Sequence, residues 1–170
     1  MSIETNKVTV ISLLVLLLSG TSAMALDVRL EKNISLSLAS EAATAAMIFC
    51  KEKGFAVSVA VVDKAGQLKT VVRADGAGPH TIDASRRKAF TSASARTNTS
   101  TMLENVQKNP GAAYLPLIDG FLIVGGGIPI RVADEVIGAI GVGGAPGGTW
   151  MSSVQKRESA KFVIVSNNRD

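Results

Sequence analysis

An α+β fold, with a mainly antiparallel sheet of about five strands flanked by helices in α/β/α layers, is what the sequence predicts, and three observations carry it. First, Leu36 to Lys53 is rich in Ala and Leu, opens after Ser35 or Ser37 as N-cap, and stops at Gly54, which spells a helix. Second, the β-branched run Val57 to Val62 is followed by Gln67 to Arg73 across Asp63-Lys64-Ala65-Gly66, a turn whose glycine can take positive φ, so the pair reads as a hairpin. Third, Gly120 to Val124, Ile128 to Val132 and Val136 to Val142 are strand-like runs separated only by glycines and by Asp134-Glu135. Connections that short cannot make parallel crossovers, which need a dozen residues or more, so these strands must run antiparallel.

Between the two groups of strands the sequence turns helical. Asp75-Gly76-Ala77-Gly78-Pro79-His80 has loop composition. Thr81 or Asp83 then caps a second helix through Arg96, and Thr101 with Glu104 has capping-box spacing for a short third one that ends at Asn109-Pro110-Gly111.

The chain, 170 residues with 46% apolar and 4% aromatic content, suffices for one domain whose core is built from Ala, Val, Ile and Leu. The net charge of +4 is scattered except at Arg86-Arg87-Lys88, and no aromatics interleave with the cations, which argues against a nucleic-acid partner. A small anionic ligand suits the same charges. Cys50 is the sole cysteine, in a helical stretch, and reads as a small core residue.

Residues 1–25 read as a signal peptide: Lys7 precedes the apolar run Val8 to Leu18, and Ala23-Met24-Ala25 has the small-x-small pattern of a cleavage site. That run is shorter than the roughly 20 residues a spanning helix needs, so the mature protein is expected to be periplasmic or secreted, without stable membrane insertion. An uncleaved anchor is the rival reading.

Taken in order, Asp63-x-x-Gly66, Asp75-Gly76-Ala77, Ser85-Arg86-Arg87-Lys88-Ala89-Phe90-Thr91, Gly125-Gly126-Gly127-Ile128-Pro129-Ile130 and Ile137-Gly138-Ala139-Ile140-Gly141-Val142 resemble the GlcG/HbpS-like haem-binding family, which is related to the C-terminal domain of PduO-type corrinoid adenosyltransferases. The resemblance covers roughly residues 36–148, within a domain read as 26–148. It implies a profilin-like fold, homo-oligomers, and haem as cofactor or ligand. Some members are linked to iron sensing, haem handling, or glycolate and diol metabolism, so the family does not fix one role.

The ending departs from the family, which closes with a helix resembling Gly-Gly-His-Leu-Asp-Glu-x-Cys-Ala. Here Gly147-Gly148 is followed by Thr149-Trp150-Met151. Shifting the frame by one base across the Trp150-Met151 codons gives Asp, and plausible codons for the rest restore the family ending. Residues 149–170 are therefore read as an atypical tail produced out of frame. Resequencing the locus tests this: an intact gene with the Trp150-Met151 frame shared by relatives contradicts it. If the tail is genuine, Phe162 to Val165 is an apolar run suited to an edge strand or to aggregation.

Under the resemblance, the cofactor-binding candidates are His80, Arg73, Arg86, Arg87 and Lys88. His80, the single histidine, has an imidazole suited to haem iron, although a solvent-facing loop histidine is the commoner role for such a residue. A Ser/His/Asp triad or a zinc cluster would have to draw on it alone. Arg86, Arg87 and Lys88 cannot all face one way at about 100° per residue, so one or two could pair with propionates, the others serving solvation or subunit contacts. Arg73 and Arg131 lie near strand ends and are further candidates. Gly143-Gly144-Ala145-Pro146-Gly147-Gly148-Thr149 has the outline of a phosphate loop but lacks its lysine, and Gly125-Gly126-Gly127 likewise suits close backbone packing. Asp63, Asp75, Asp119 and Asp134-Glu135 have no spacing that demands a carboxylate pair and suit turns. The leading expectation is a binding protein for haem or a related tetrapyrrole. The alternatives are an accessory enzyme for small hydroxy acids, diols or haem, and a structural oligomer subunit without ligand.

Overall fold

The computed structural model describes residues 29–146. The expectations for the signal peptide at 1–25 and for the tail at 149–170 lie outside the described residues. The contacts divide the chain between Glu31 and Lys32, and the architecture below is that of the second unit.

Helix α1 (Leu36–Glu52) starts as its sequence demands: the Ser35 hydroxyl accepts from Leu38 N–H at 3.2 Å. It ends where Gly54, at φ +81°, donates to Lys51 O at 2.9 Å and Phe55 N–H returns to Cys50 O at 3.0 Å. Strands β1 (Ser58–Asp63) and β2 (Leu68–Arg73) form the expected hairpin. The Asp63 carboxylate accepts from Ala65 and Gln67 N–H, both at 2.9 Å, which assigns it to the turn. Helices α2 (Thr81–Ala95) and α3 (Thr99–Lys108) follow, then two short 3-10 turns, and strands β3 (Gly127–Val132) and β4 (Glu135–Gly143) complete the unit.

The sheet is antiparallel throughout, in the order β2-β1-β4-β3. It has four strands where about five were expected, because the run Gly120 to Val124 does not pair. Its backbone is claimed by side chains from α2: Thr91 Oγ1 accepts from Leu122 N–H at 2.8 Å, and the Arg87 guanidinium donates to Phe121 O. Phe121 and Ile123 still bury, but against Met102 of α3, with Phe90 meeting Phe121 edge-on at 6.2 Å between ring centres.

Two helix starts also differ from expectation. His80, not Thr81 or Asp83, holds the N-cap position of α2, without a side-chain capping bond. Thr81 Oγ1 instead donates to Gly78 O at 2.6 Å and pairs with Ser58 Oγ at 2.7 Å, tying the helix to β1. Helix α3 begins two residues before Thr101, since Thr99 Oγ1 is fully buried and accepts from Gly127 N–H at 2.9 Å, anchoring the helix to β3.

Alternation along the strands creates two cores. Val57, Val59, Val61, Ile128, Ile130, Ile137 and Val142 pack under α1, which presents Ala39, Ala42, Ala43, Ala46 and Cys50. On the other face Val62 and Ala139 meet Ala89 and Ala93 of α2. Small residues let α2 approach β4 closely: an added Cβ at Gly141 would lie 2.1 Å from Ser85 O and 2.6 Å from Ala89 N, and one at Gly143 would lie 2.6 Å from Thr81 O.

Burial raises the Cys50 thiol from its ordinary 9.0 to about 11. The unfolded thiol ionises first, so this contribution to stability is complete below about pH 9 and is lost as pH rises through about 11. The stability gap between the wild type and Cys50→Ala, read from urea unfolding, is expected to shrink by roughly 2–3 kcal/mol between pH 8 and pH 11. An unchanged gap would contradict it. The pairwise comparison cancels Lys88, whose burial-lowered pKa acts with the opposite sign.

Candidate functional site

A cleft of about 530 Å³ opens where the last turns of α1 face the exit of β2. Met47, Ile48 and Lys51 line it from the helix, Gly54, Phe55 and Ala56 from the connection to β1, and Arg73, Ala74 and Asp75 from the end of β2. The local fold explains the convergence. Met47 and Lys51 are four residues apart and therefore stack on one helical face. The left-handed Gly54 folds the chain back so that Phe55 returns beside that face. Ala74 N–H donates to Val57 O at 2.9 Å, holding the end of β2 alongside the start of β1.

The cleft joins apolar walls to cationic groups. Met47 and Phe55 pack against the core under α1, while Ile48 is half exposed. Arg73 Nε donates to Ala77 O at 3.1 Å and its Nη2 donates to the same oxygen, which fixes the guanidinium plane and leaves Nη1 without an acceptor among the described residues. Lys51 makes no ion pair or hydrogen bond through its ammonium among the described residues. Asp75 adds one carboxylate, so the lining carries two cations and one anion. Such a site suits an amphipathic anion: apolar body against Met47, Ile48 and Phe55, carboxylates toward Lys51 and Arg73.

The other sequence-predicted residues lie elsewhere. His80 is exposed and does not line the cleft; its imidazole lies beside Gly78, where an added Cβ would lie 2.9 Å from Cε1. Arg86 is exposed and pairs with Asp83 at 2.9 Å. Arg87 turns toward the Phe121 carbonyl and is engaged in holding the loop before β3. Arg131 donates to Arg96 O at 2.7 Å, joining β3 to the end of α2.

Lys88 turns inward. Only 9% of its surface is exposed, and Nζ donates to Val142 O at 3.0 Å. Gly126, at φ +120°, accepts from Val142 N–H at 2.9 Å, and the ammonium takes the carbonyl of Val142 at the point where the β3–β4 ladder ends. Burial lowers the Lys88 pKa from 10.5. Of the five cofactor-binding candidates named from the sequence, the cleft therefore gathers Arg73 alone; Asp75, read there as a turn residue, also lines it, and Met47 and Lys51, with Phe55, are the additions. The spacing Met47-x-x-x-Lys51 before Gly54 was the available signal for the first two. Among the described residues no three His, Cys, Asp or Glu side chains gather to hold a metal ion, and no helix is long and apolar enough to cross a membrane.

Comparison with known proteins gives concordant findings. The profile of the family described as "Haem degrading protein HbpS-like" matches residues 34–149. An uncharacterised 15.0 kDa protein of Citrobacter freundii, from the dhaT-dhaS intergenic region, is 34% identical over 116 residues, covering 66% of this chain and 80% of that protein. Protein GlcG of Escherichia coli K12 is 33% identical over 111 residues, covering 64% and 80% respectively. The crystal structure of a double mutant of HbpS from Streptomyces reticuli superposes with a TM-score of 0.70 at 32% identity, over 86% of this chain and 96% of that one.

Proposed function

The chain belongs to the HbpS-like family, and on that premise we propose that it binds haem or a related tetrapyrrole in the cleft between α1 and the end of β2. The observation that carries the reading is the pairing of apolar walls at Met47, Ile48 and Phe55 with two cations, Lys51 and Arg73, whose charges no carboxylate neutralises by a direct ion pair among the described residues. When bound, haem would supply redox-active iron. The residues present would hold its hydrophobic face and meet its propionates, which is how a mostly apolar pocket with a few oriented polar groups selects a ligand.

Titrating haemin into the purified protein is expected to give a saturable change in the Soret absorbance. Absence of both saturation and spectral change contradicts the proposal. The family description also favours an activity, haem degradation. Bleaching of the bound chromophore with release of iron, on addition of a reductant or peroxide, supports that second reading, and a chromophore that survives restricts the protein to binding.

We place this activity in the periplasm or outside the cell, on the strength of Lys7, the apolar run Val8 to Leu18 and Ala23-Met24-Ala25. N-terminal sequencing of the exported protein checks it. Self-association is proposed on the exposed apolar side chains Leu68 and Val71 of the edge strand β2 together with Ile82 of α2. Light scattering measures it directly.

A further inference from the structure

We infer that Met47 is the side chain of the cleft that ligates the haem iron, an assignment that rests on the tetrapyrrole-binding reading above. The side chains that hold haem iron are histidine, cysteine, methionine and tyrosine, and here the ligand must also be fixed in position and placed beside the apolar wall on which the macrocycle lies. Of the cleft residues only Met47 meets all three requirements. Its thioether is neutral and soft. Its stem packs on the core beneath α1, which fixes its root, while the residue also lines the cleft.

The competing donors fail on geometry or charge. His80 stands outside the lining, exposed at the start of α2. Cys50 is fully buried on the core side of α1, and burial keeps its thiol protonated to about 11. Lys51 offers no lone pair while it is an ammonium. Asp75 lines the cleft next to Ala74, but a carboxylate is not among the side chains that hold haem iron. The helix sets Met47 and Lys51 one turn apart, about 6 Å along the axis, so a macrocycle held at the iron by one can present a propionate to the other.

Two ligands separate this assignment from the binding reading itself: haemin, and protoporphyrin IX without metal. With the wild type, haemin is expected to bind more tightly than the metal-free ring. In Met47→Leu, which keeps the apolar volume of the wall, the ratio of haemin affinity to metal-free affinity is expected to fall by about tenfold, equivalent to about 1.4 kcal/mol, because only haemin loses a bond to iron. The bound-haem Soret band is expected to move and the reduction potential to drop, because a thioether ligand raises it. His80→Ala is expected to leave both spectrum and potential unchanged. An unaltered spectrum and potential in Met47→Leu overturn the assignment and leave the cleft intact as a binding site. Failure of both ligands to bind the wild type overturns the assignment and the binding reading together.

Discussion

Gly141→Ala is expected to cost about 3 kcal/mol or more and to leave much of the protein unfolded or insoluble. The cause is geometric. The new methyl would lie 2.1 Å from Ser85 O and 2.6 Å from Ala89 N, both backbone atoms of α2. Neither can yield by a rotamer change, so the helix as a whole must move off the sheet. Moving it also disturbs the bonds between α2 and the loop before β3, in which Leu122 N–H donates to Thr91 Oγ1 and the Arg87 guanidinium donates to Phe121 O. An exposed control such as Thr44→Ser is expected to change stability by less than about 0.5 kcal/mol. Urea unfolding of the soluble fraction checks both, and a Gly141→Ala protein with the wild-type midpoint would show that the helix–sheet contact is not the tight one described.

The second large effect concerns binding. Replacing both Lys51 and Arg73 by glutamine is expected to weaken haemin binding roughly tenfold to thirtyfold, from up to about 1 kcal/mol per partly exposed ion pair. The loss is expected to shrink at high salt. Arg73 also braces the Ala77 carbonyl, so loosening of the Ala74–Ala77 loop must be told apart from loss of charge. Asp75→Asn does that, since it removes the one carboxylate facing the site. It is expected to strengthen haemin binding by a few-fold through reduced repulsion. Weakening in both variants would point to loop damage, whereas opposite signs identify electrostatics.

Much of this fold is legible in the residues. Ser35 and Gly54 bound α1, Asp63 and Gly66 close the hairpin, and short connections force antiparallel strands. What escapes is set by competition for backbone groups. The run Gly120 to Val124 has strand composition, but Thr91 and Arg87 capture its N–H and C=O groups from a helix some thirty positions earlier in the chain, and a local pattern carries no trace of that. Lys88 illustrates the same limit. Its neighbours Arg86 and Arg87 suggest a cationic surface, yet 100° per residue swings the lysine under the helix, where the Val142 carbonyl receives it.

The candidate site was legible through Arg73 and, as a turn residue, Asp75. A search guided by charge and by the one histidine favours the Arg86-Arg87-Lys88 cluster and His80, and overlooks a cleft whose walls come from three separate segments. Lys51 looks like an ordinary basic residue in the last turn of a helix, where it also complements the helix dipole. Only the return of Phe55 beside it, imposed by the left-handed Gly54, makes it part of a concave surface.

The central claim is that a tetrapyrrole enters the cleft at the end of α1, and the most direct test is a map of backbone amide shifts in 15N-labelled protein on titration with metal-free protoporphyrin IX. The largest changes are predicted at Met47, Ile48, Lys51, Phe55 and Ala74, with His80 and Lys88 little affected. Saturable changes centred instead on His80 and the start of α2, or no changes at all, would contradict the claim.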